Sequence, residues 1–172
     1  MPIRTAPSPR GRPLYTPAQR QRRDASAWTL VQGVLAPVQF LVFLVSLVLV
    51  LRFLATGQGE WAATVSVVVK TLTLYLIMLT GCIWEKVVFG QYLFAPAFYW
   101  EDVFSMAVLA LHTAYLVALG TGWLGDRALM LMALAAYATY VVNATQFLLK
   151  LRAARLQEQA SQAPPAGEGV PA

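Results

Sequence analysis

Four long apolar runs constrain this chain more than any other feature of its sequence. They cover Ala25–Leu51, Trp61–Trp84, Val103–Gly125 and Ala128–Leu149. The only Lys, Arg, Asp, Glu or His residues inside them are Lys70 and His112. A helix of about 20 apolar residues crosses a bilayer core, and lipid cannot hydrogen-bond a peptide backbone, so each run must be helical. The sequence therefore predicts an all-α integral membrane protein, built as a bundle of four transmembrane helices.

The same runs predict the domain organisation. We expect membrane helices at about 27–54, 61–85, 101–124 and 128–150, within one domain that covers residues 21–156. Residues 1–20 are rich in Pro and Arg, and residues 157–172 are rich in Ala, Pro, Gln and Gly. Such compositions cannot form a packed core, so both ends of the chain are predicted to be disordered tails.

Basic residues predict the orientation of the bundle. Six arginines precede the first run, and Lys150, Arg152 and Arg155 follow the last one. Arg52 and Arg127 are the only cationic residues in the loops on the opposite side. By the positive-inside rule, both chain ends should lie in the cytoplasm. The net charge of +5 is then explained by topology and by contact with anionic lipid, and no nucleic-acid partner is expected.

An uncharged aromatic segment, Val87–Trp100, separates the second run from the third. It is too short to cross a bilayer, and Gly90 and Pro96 should interrupt a helix there. Two interpretations stay open. The segment is either an aromatic belt at the membrane surface or a re-entrant or interfacial flap that lines a pocket for a flat, apolar ligand. The rings that such a ligand would contact are Phe94, Phe98, Tyr99 and Trp100.

Polar side chains at membrane depth are costly, which makes them candidates for function. Lys70 lies near the middle of the second run, where either pairing inside the bundle or contact with a ligand would explain it. His112 shares a helical stripe with Glu101 through spacings of three and four residues. It is either a satisfied core residue or a group that binds a metal or transfers protons. In the first run, Gln32, Gln39 and Ser46 share a face and should bond to other helices.

Charged residues also cluster where the second and third helices approach the cytoplasm. These residues are Glu85, Lys86, Glu101 and Asp102. They are either solvated charges at helix ends or groups for acid–base chemistry. A carboxyl group in apolar surroundings keeps its proton more readily, so it can serve as a general acid near neutral pH.

Several kinds of chemistry are excluded by what the sequence lacks. A single histidine cannot form a bis-histidine haem site, and Cys82, the only cysteine, cannot form a redox pair. There is no glycine-rich nucleotide loop, no nucleophilic serine elbow and no zinc-ligand spacing. Any reaction should therefore be acid–base chemistry on a hydrophobic substrate.

Four stretches carry a resemblance to a known family. They are Trp28–Ser46, Thr80–Met106, Leu109–Leu116 and Asn143–Leu156, and the blocks IWEKVVFGQYLFAP and FYWEDVFSM are the most distinctive. They closely resemble the vinyl bacteriochlorophyllide hydratases, small membrane enzymes of bacteriochlorophyll biosynthesis in phototrophic bacteria. The resemblance extends from about Leu14 to Leu156. It implies a hydro-lyase that adds water to the C3 vinyl group of chlorophyllide a and gives a 1-hydroxyethyl group.

That reaction would need a proton donor and a base to activate water. Glu101 is the predicted acid, because it shares the stripe of His112. Glu85 is the predicted base, and Asp102 is expected to cap the helix or to support the other two. No redox cofactor is expected, since water addition transfers no electrons and the substrate carries its own magnesium.

The substrate implied by the resemblance also assigns roles to other residues. Its magnesium would accept His112 as an axial ligand, its free carboxylate would suit Lys86 or Lys70, and its flat ring would match the aromatic segment. The expected partners are this macrocycle, the lipid bilayer and other enzymes of the pathway, in the cell inner membrane or the intracytoplasmic photosynthetic membrane. From the residues alone, a non-catalytic pigment-binding or assembly protein and a small transporter are alternatives.

Overall fold

The computed structural model describes residues 14–162, and all regular structure among them is helical. The helices are α1 (Pro17–Ala25), α2 (Ala27–Thr56), α3 (Glu60–Phe89), α4 (Tyr99–Thr121) and α5 (Asp126–Gln162). The last four are long and apolar enough to cross a membrane, which agrees with the four runs in the sequence. Of the two predicted tails, only residues 14–20 and 157–162 are described. Helix α5 continues to Gln162, so the predicted end of the last helix, near residue 150, and the predicted start of the C-terminal tail, at residue 157, were both too early.

Helix α1 begins inside the segment whose composition predicted disorder. Thr16 and Gln19 form a reciprocal capping box, and Pro17 occupies the first helical position. This combination is typical of helix starts. The preceding Tyr15 is 3% exposed, and its ring lies 5.8 Å from that of Phe89. The predicted boundary near residue 20 was therefore too late, because local capping and one buried ring outweigh the polar composition.

The aromatic segment divides into three parts. Its first residues extend α3 to Phe89, where Gly90 ends the helix with a φ of 88°. Residues 90–98 form the loop between α3 and α4, and Tyr99 begins α4. The predicted end of the second membrane helix, near residue 85, was about one turn too early, because glycine and not the charged pair of Glu85 and Lys86 stops the helix.

Two helix pairs build the bundle. Helix α2 packs along α3, helix α4 packs along α5, and α2 joins the pairs through its contact with α5. Short turns at 57–59 and 122–125 connect the helices within each pair. Helices α3 and α4 are consecutive in the chain, yet they contact each other much less. These two consecutive helices are thus packed less closely than the helices within either pair.

Polar side chains connect the helices through the interior. Ser46 of α2 lies 2.7 Å from Ser66 Oγ and 2.6 Å from the hydroxyl of Tyr137. Gln32 donates a hydrogen bond of 2.7 Å to Thr80. The interhelical bonding predicted for this face of the first run is confirmed for Gln32 and Ser46. Gln39 is buried, but its Oε1 has no hydrogen-bond partner among residues 14–162.

Candidate active site

The approach of α3 to α4 brings two carboxyl groups together. Glu85 lies one turn before the end of α3, and Asp102 lies in the first turn of α4. The two residues are 5% and 4% exposed, and their side chains are within hydrogen-bonding reach of each other. A hydrogen bond between two carboxyl groups requires a proton on one of them. The arrangement therefore places an acid and a base side by side.

The loop between α3 and α4 binds both members of this carboxyl pair. The backbone N–H of Phe94 donates to Asp102 Oδ2 at 2.8 Å, and that of Ala95 donates to Glu85 Oε2 at 3.4 Å. Phe94 has a φ of 60°, and it is the only non-glycine residue with positive φ among those the structure describes. This conformation costs of order 1–2 kcal/mol for an ordinary residue. The strain lies where the loop bonds to the carboxyl pair.

Glu101 has a different partner. Lys150 Nζ on α5 lies 2.5 Å from Glu101 Oε2, so this carboxylate belongs to an ion pair between α4 and α5. Successive helical residues are rotated by about 100°, which separates Glu101 from its neighbour Asp102. The sequence grouped three carboxylates, and the structure joins only Glu85 and Asp102.

An open groove runs between α3 and α4 toward the carboxyl pair. Its volume is about 400 Å³, and it is lined by Tyr75, Met78, Leu79, Cys82, Leu93, Met106, Leu109 and Thr113. Cys82 lies close enough to Glu85 and Asp102 for its thiol to interact electrostatically with both carboxyl groups. The hydroxyl groups of Tyr75 and Thr113 hydrogen-bond across the groove at 2.8 Å. The lining is otherwise almost entirely apolar.

The outer surface of the same end carries a lysine beside aromatic rings. Lys86 is exposed, donates to the carbonyl of Gly90 at 2.9 Å and lies 5.1 Å from the ring centroid of Tyr92. Phe94, Tyr99 and Trp100 are exposed and form a row, with centroid distances of 5.7 and 5.6 Å. These residues are placed where a ligand can reach them.

Phe98 differs from the other three rings that the sequence assigned to ligand binding. It is 2% exposed and packs among the rings of Trp84, Phe89 and Phe147, at centroid distances of 5.7, 5.8 and 5.9 Å. In this structure it is a core residue that holds the loop against the bundle.

Lys70 and His112 lie in the centre of the bundle, and neither lines the groove. Both are 0% exposed. Lys70 Nζ is 3.9 Å from the ring centroid of Tyr140, and His112 Nδ1 is 2.8 Å from the carbonyl oxygen of Val108. Neither Lys70 Nζ nor His112 Nε2 has a hydrogen-bond partner among residues 14–162. The ligand-binding roles proposed for these two residues stay predictions.

The groove was not predicted from the sequence, although one signal for it was present. Tyr75, Leu79, Cys82 and Lys86 follow one another at spacings of three and four residues. They therefore lie along one face of α3, which runs from the groove to the exposed lysine. The matching face of α4 depends on how the two helix pairs dock, and no local pattern reveals it.

Comparison with known proteins gives one consistent result. The family model of 2-vinyl bacteriochlorophyllide hydratase matches residues 15–153. A protein of that name from Rhodobacter capsulatus is 67% identical over 156 residues, which cover 91% of this chain and 91% of the relative. Another from Cereibacter sphaeroides is 66% identical over 158 residues, or 92% and 98% of the two chains. No solved structure matches the chain significantly. The chain belongs to the 2-vinyl bacteriochlorophyllide hydratase family.

Proposed function

We propose that this protein hydrates the C3 vinyl group of chlorophyllide a, or of a related magnesium macrocycle, to a 1-hydroxyethyl group. Membership of the family supports this activity, because both relatives are named as hydratases of a vinyl bacteriochlorophyllide. The structural observation that carries the proposal is the buried carboxyl pair of Glu85 and Asp102, which lies close to Cys82 in the lining of an apolar groove.

The carboxyl pair matches the proton balance of the reaction. A protonated carboxyl group transfers its proton to the terminal vinyl carbon, and a C–H bond replaces the C=C π bond. The positive charge left on the adjacent carbon is delocalised into the macrocycle. Water then forms the new C–O bond and gives up a proton to the other carboxylate. The pair starts and ends with one proton, and no electrons are exchanged, so the reaction needs no redox cofactor.

Hydrogen bonds from the backbone N–H groups of the loop distinguish the proton donor from the base. The shorter bond, from Phe94 to Asp102, stabilises a negative charge on Asp102 better than the longer bond from Ala95 does on Glu85. We therefore assign Glu85 as the proton donor and Asp102 as the base. This assignment differs from the sequence prediction, in which Glu101 was the acid. Glu101 accepts a hydrogen bond from Lys150 on α5 and has no contact with the carboxyl pair among those described.

We also propose that the carboxyl pair and both chain ends face the cytoplasm, in the cell inner membrane or the intracytoplasmic photosynthetic membrane. The cations near the chain ends support this orientation, and water, which is a reactant, is available there. Reporter fusions at Gly57 and Gly125 should be on the outer side, and one at Gly90 should be inside. A cytoplasmic signal from Gly57 would contradict the orientation.

Isotope incorporation tests the activity. Membranes that contain this protein as the only pathway enzyme are incubated with chlorophyllide a, without oxygen or nucleotides, and the pigments are separated by chromatography. We expect a more polar product that gains one water. In D₂O, one deuterium should appear on the new methyl carbon.

Matched variants serve as controls for that assay. Glu60→Gln and Asp126→Asn change exposed acidic residues in the first turns of α3 and α5, and both should keep normal activity. Pigment that binds to the membranes but is recovered unchanged would show that the protein binds pigment without hydrating it.

A further inference from the structure

The groove between α3 and α4 opens on the outer surface of the bundle. Each of these helices is packed closely against its own hairpin partner, and the two helices touch each other little. Leu79, in the lining, is 63% exposed, and Thr113 on the opposite wall is exposed as well. A molecule dissolved in the bilayer can therefore enter this groove without crossing the bundle.

The two ends of the groove differ in chemistry. Toward the loop, the lining ends at Leu93 and Cys82, beside the carboxyl pair. At the other end, Tyr75 and Thr113 are joined by their hydrogen bond. A ligand in the groove thus has acid–base groups near one end and the hydrogen-bonded hydroxyl groups of Tyr75 and Thr113 at the other.

The apolar groove, together with the exposed Lys86 beyond it, suits a flat, apolar anion. Its volume of about 400 Å³ holds an edge of a magnesium macrocycle and leaves the rest of the ring in lipid. Lys86 lies one turn beyond Cys82 on the same face of α3, is exposed, and can neutralise a carboxylate on the ring. Few other molecules combine an apolar plane, one carboxylate and a reactive vinyl edge.

We infer that the substrate enters sideways from the bilayer between α3 and α4, with its vinyl edge at Glu85 and Asp102 and its free carboxylate at Lys86. The hydrogen bond between Tyr75 and Thr113 limits how far the ring can move toward the bilayer centre. This inference rests on the proposed hydratase function and adds to it the position of the substrate.

Protection of Cys82 tests the inference directly, because it is the only cysteine in the chain. In vesicles, a lipid-soluble maleimide should label Cys82, and chlorophyllide a at ten times its Kd should slow labelling about tenfold, as mass action requires. Cys82→Ser should abolish labelling. Adding Ala62→Cys to that variant gives a matched control, an exposed site at the far end of α3, where pigment should not protect.

Two substitutions test the placement of the ring. Leu79→Trp fills the groove and should raise KM more than it lowers kcat, whereas Leu72→Trp, at an exposed position outside the lining, should change neither.

Lys86→Gln should weaken the protection of Cys82 by chlorophyllide a and leave the protection by its methyl ester unchanged.

The two proposals can fail separately. If hydration proceeds while pigment does not protect Cys82 and Leu79→Trp is harmless, lateral binding is wrong and the hydratase function stands. If no hydration occurs, the proposed function fails. The labelling result still decides whether the groove binds the pigment, because it needs no turnover.

Discussion

Glu101 and Asp102 are consecutive residues of α4, yet their carboxyl groups are held by different parts of the molecule. Lys150 of α5 lies 2.5 Å from Glu101, whereas the backbone of Phe94 donates to Asp102 at 2.8 Å. One carboxylate ties the two helices of a hairpin together, and the other ties α4 to the loop and to Glu85. Substitutions at these adjacent positions should therefore have different effects.

Asp102→Asn and Glu85→Gln should each lower kcat by about 10²–10⁴-fold, the usual contribution of a general acid or base. The amides keep the size of the side chains but can neither donate nor accept the transferred proton. Initial rates with chlorophyllide a, on protein whose amount and monodispersity in detergent match the wild type, measure the effect. Wild-type turnover in both variants would rule out the carboxyl pair.

Glu101→Gln should lower the free energy of unfolding by about 1–3 kcal/mol, because it leaves a partly buried lysine without its counter-charge. Its kcat should stay within about tenfold of the wild type, well short of a lost acid or base. Unfolding in detergent measures the stability. Adding Lys150→Met should recover part of the loss. A stable Glu101→Gln protein with no turnover would instead make Glu101 the acid.

Phe94→Gly and Phe94→Ala separate the strain of the loop from the contribution of its ring. Both variants remove the exposed ring, so both should raise KM for the pigment. Only glycine adopts a φ of 60° freely, so Phe94→Gly should be more heat-stable than Phe94→Ala. Thermal melts and initial rates of the two variants, compared side by side, test this. Equal stability would mean that the positive φ carries no cost.

His112→Gln tests the predicted role of His112 as a ligand of the substrate's magnesium. If the macrocycle stays in the groove, the buried imidazole of His112 does not reach its magnesium. The ratio of KM values for chlorophyllide a and its magnesium-free analogue should then be the same in wild type and variant. Steady-state rates with both pigments give this ratio. A preference for magnesium that disappears in His112→Gln would support axial ligation.

The sequence predicted the four membrane helices, because apolar runs are local patterns. It also grouped Glu85 and Asp102 around the aromatic segment, and the structure brings these two carboxyl groups together. Runs such as Trp61–Trp84 are too apolar for water, and the aromatic segment has acidic residues on either side of it. The pairing within the site was not predictable in the same way. Lys150 reaches Glu101 only through the register of α5 against α4, and Phe98 is buried only because the loop folds back onto the bundle.

Lys70 enters the membrane before α5, the helix that carries Tyr140, has been synthesised. The ribosome completes α3 well ahead of α5, which supplies the ring of Tyr140 that lies 3.9 Å from Lys70 Nζ. A lysine at the centre of a lone helix costs about 2.5–3.5 kcal/mol to insert, so the early hairpin is left in an unfavourable state that docking of the last helix relieves. A truncated chain without α5 would lose this cation–π contact, and with it part of what stabilises Lys70 inside the bundle.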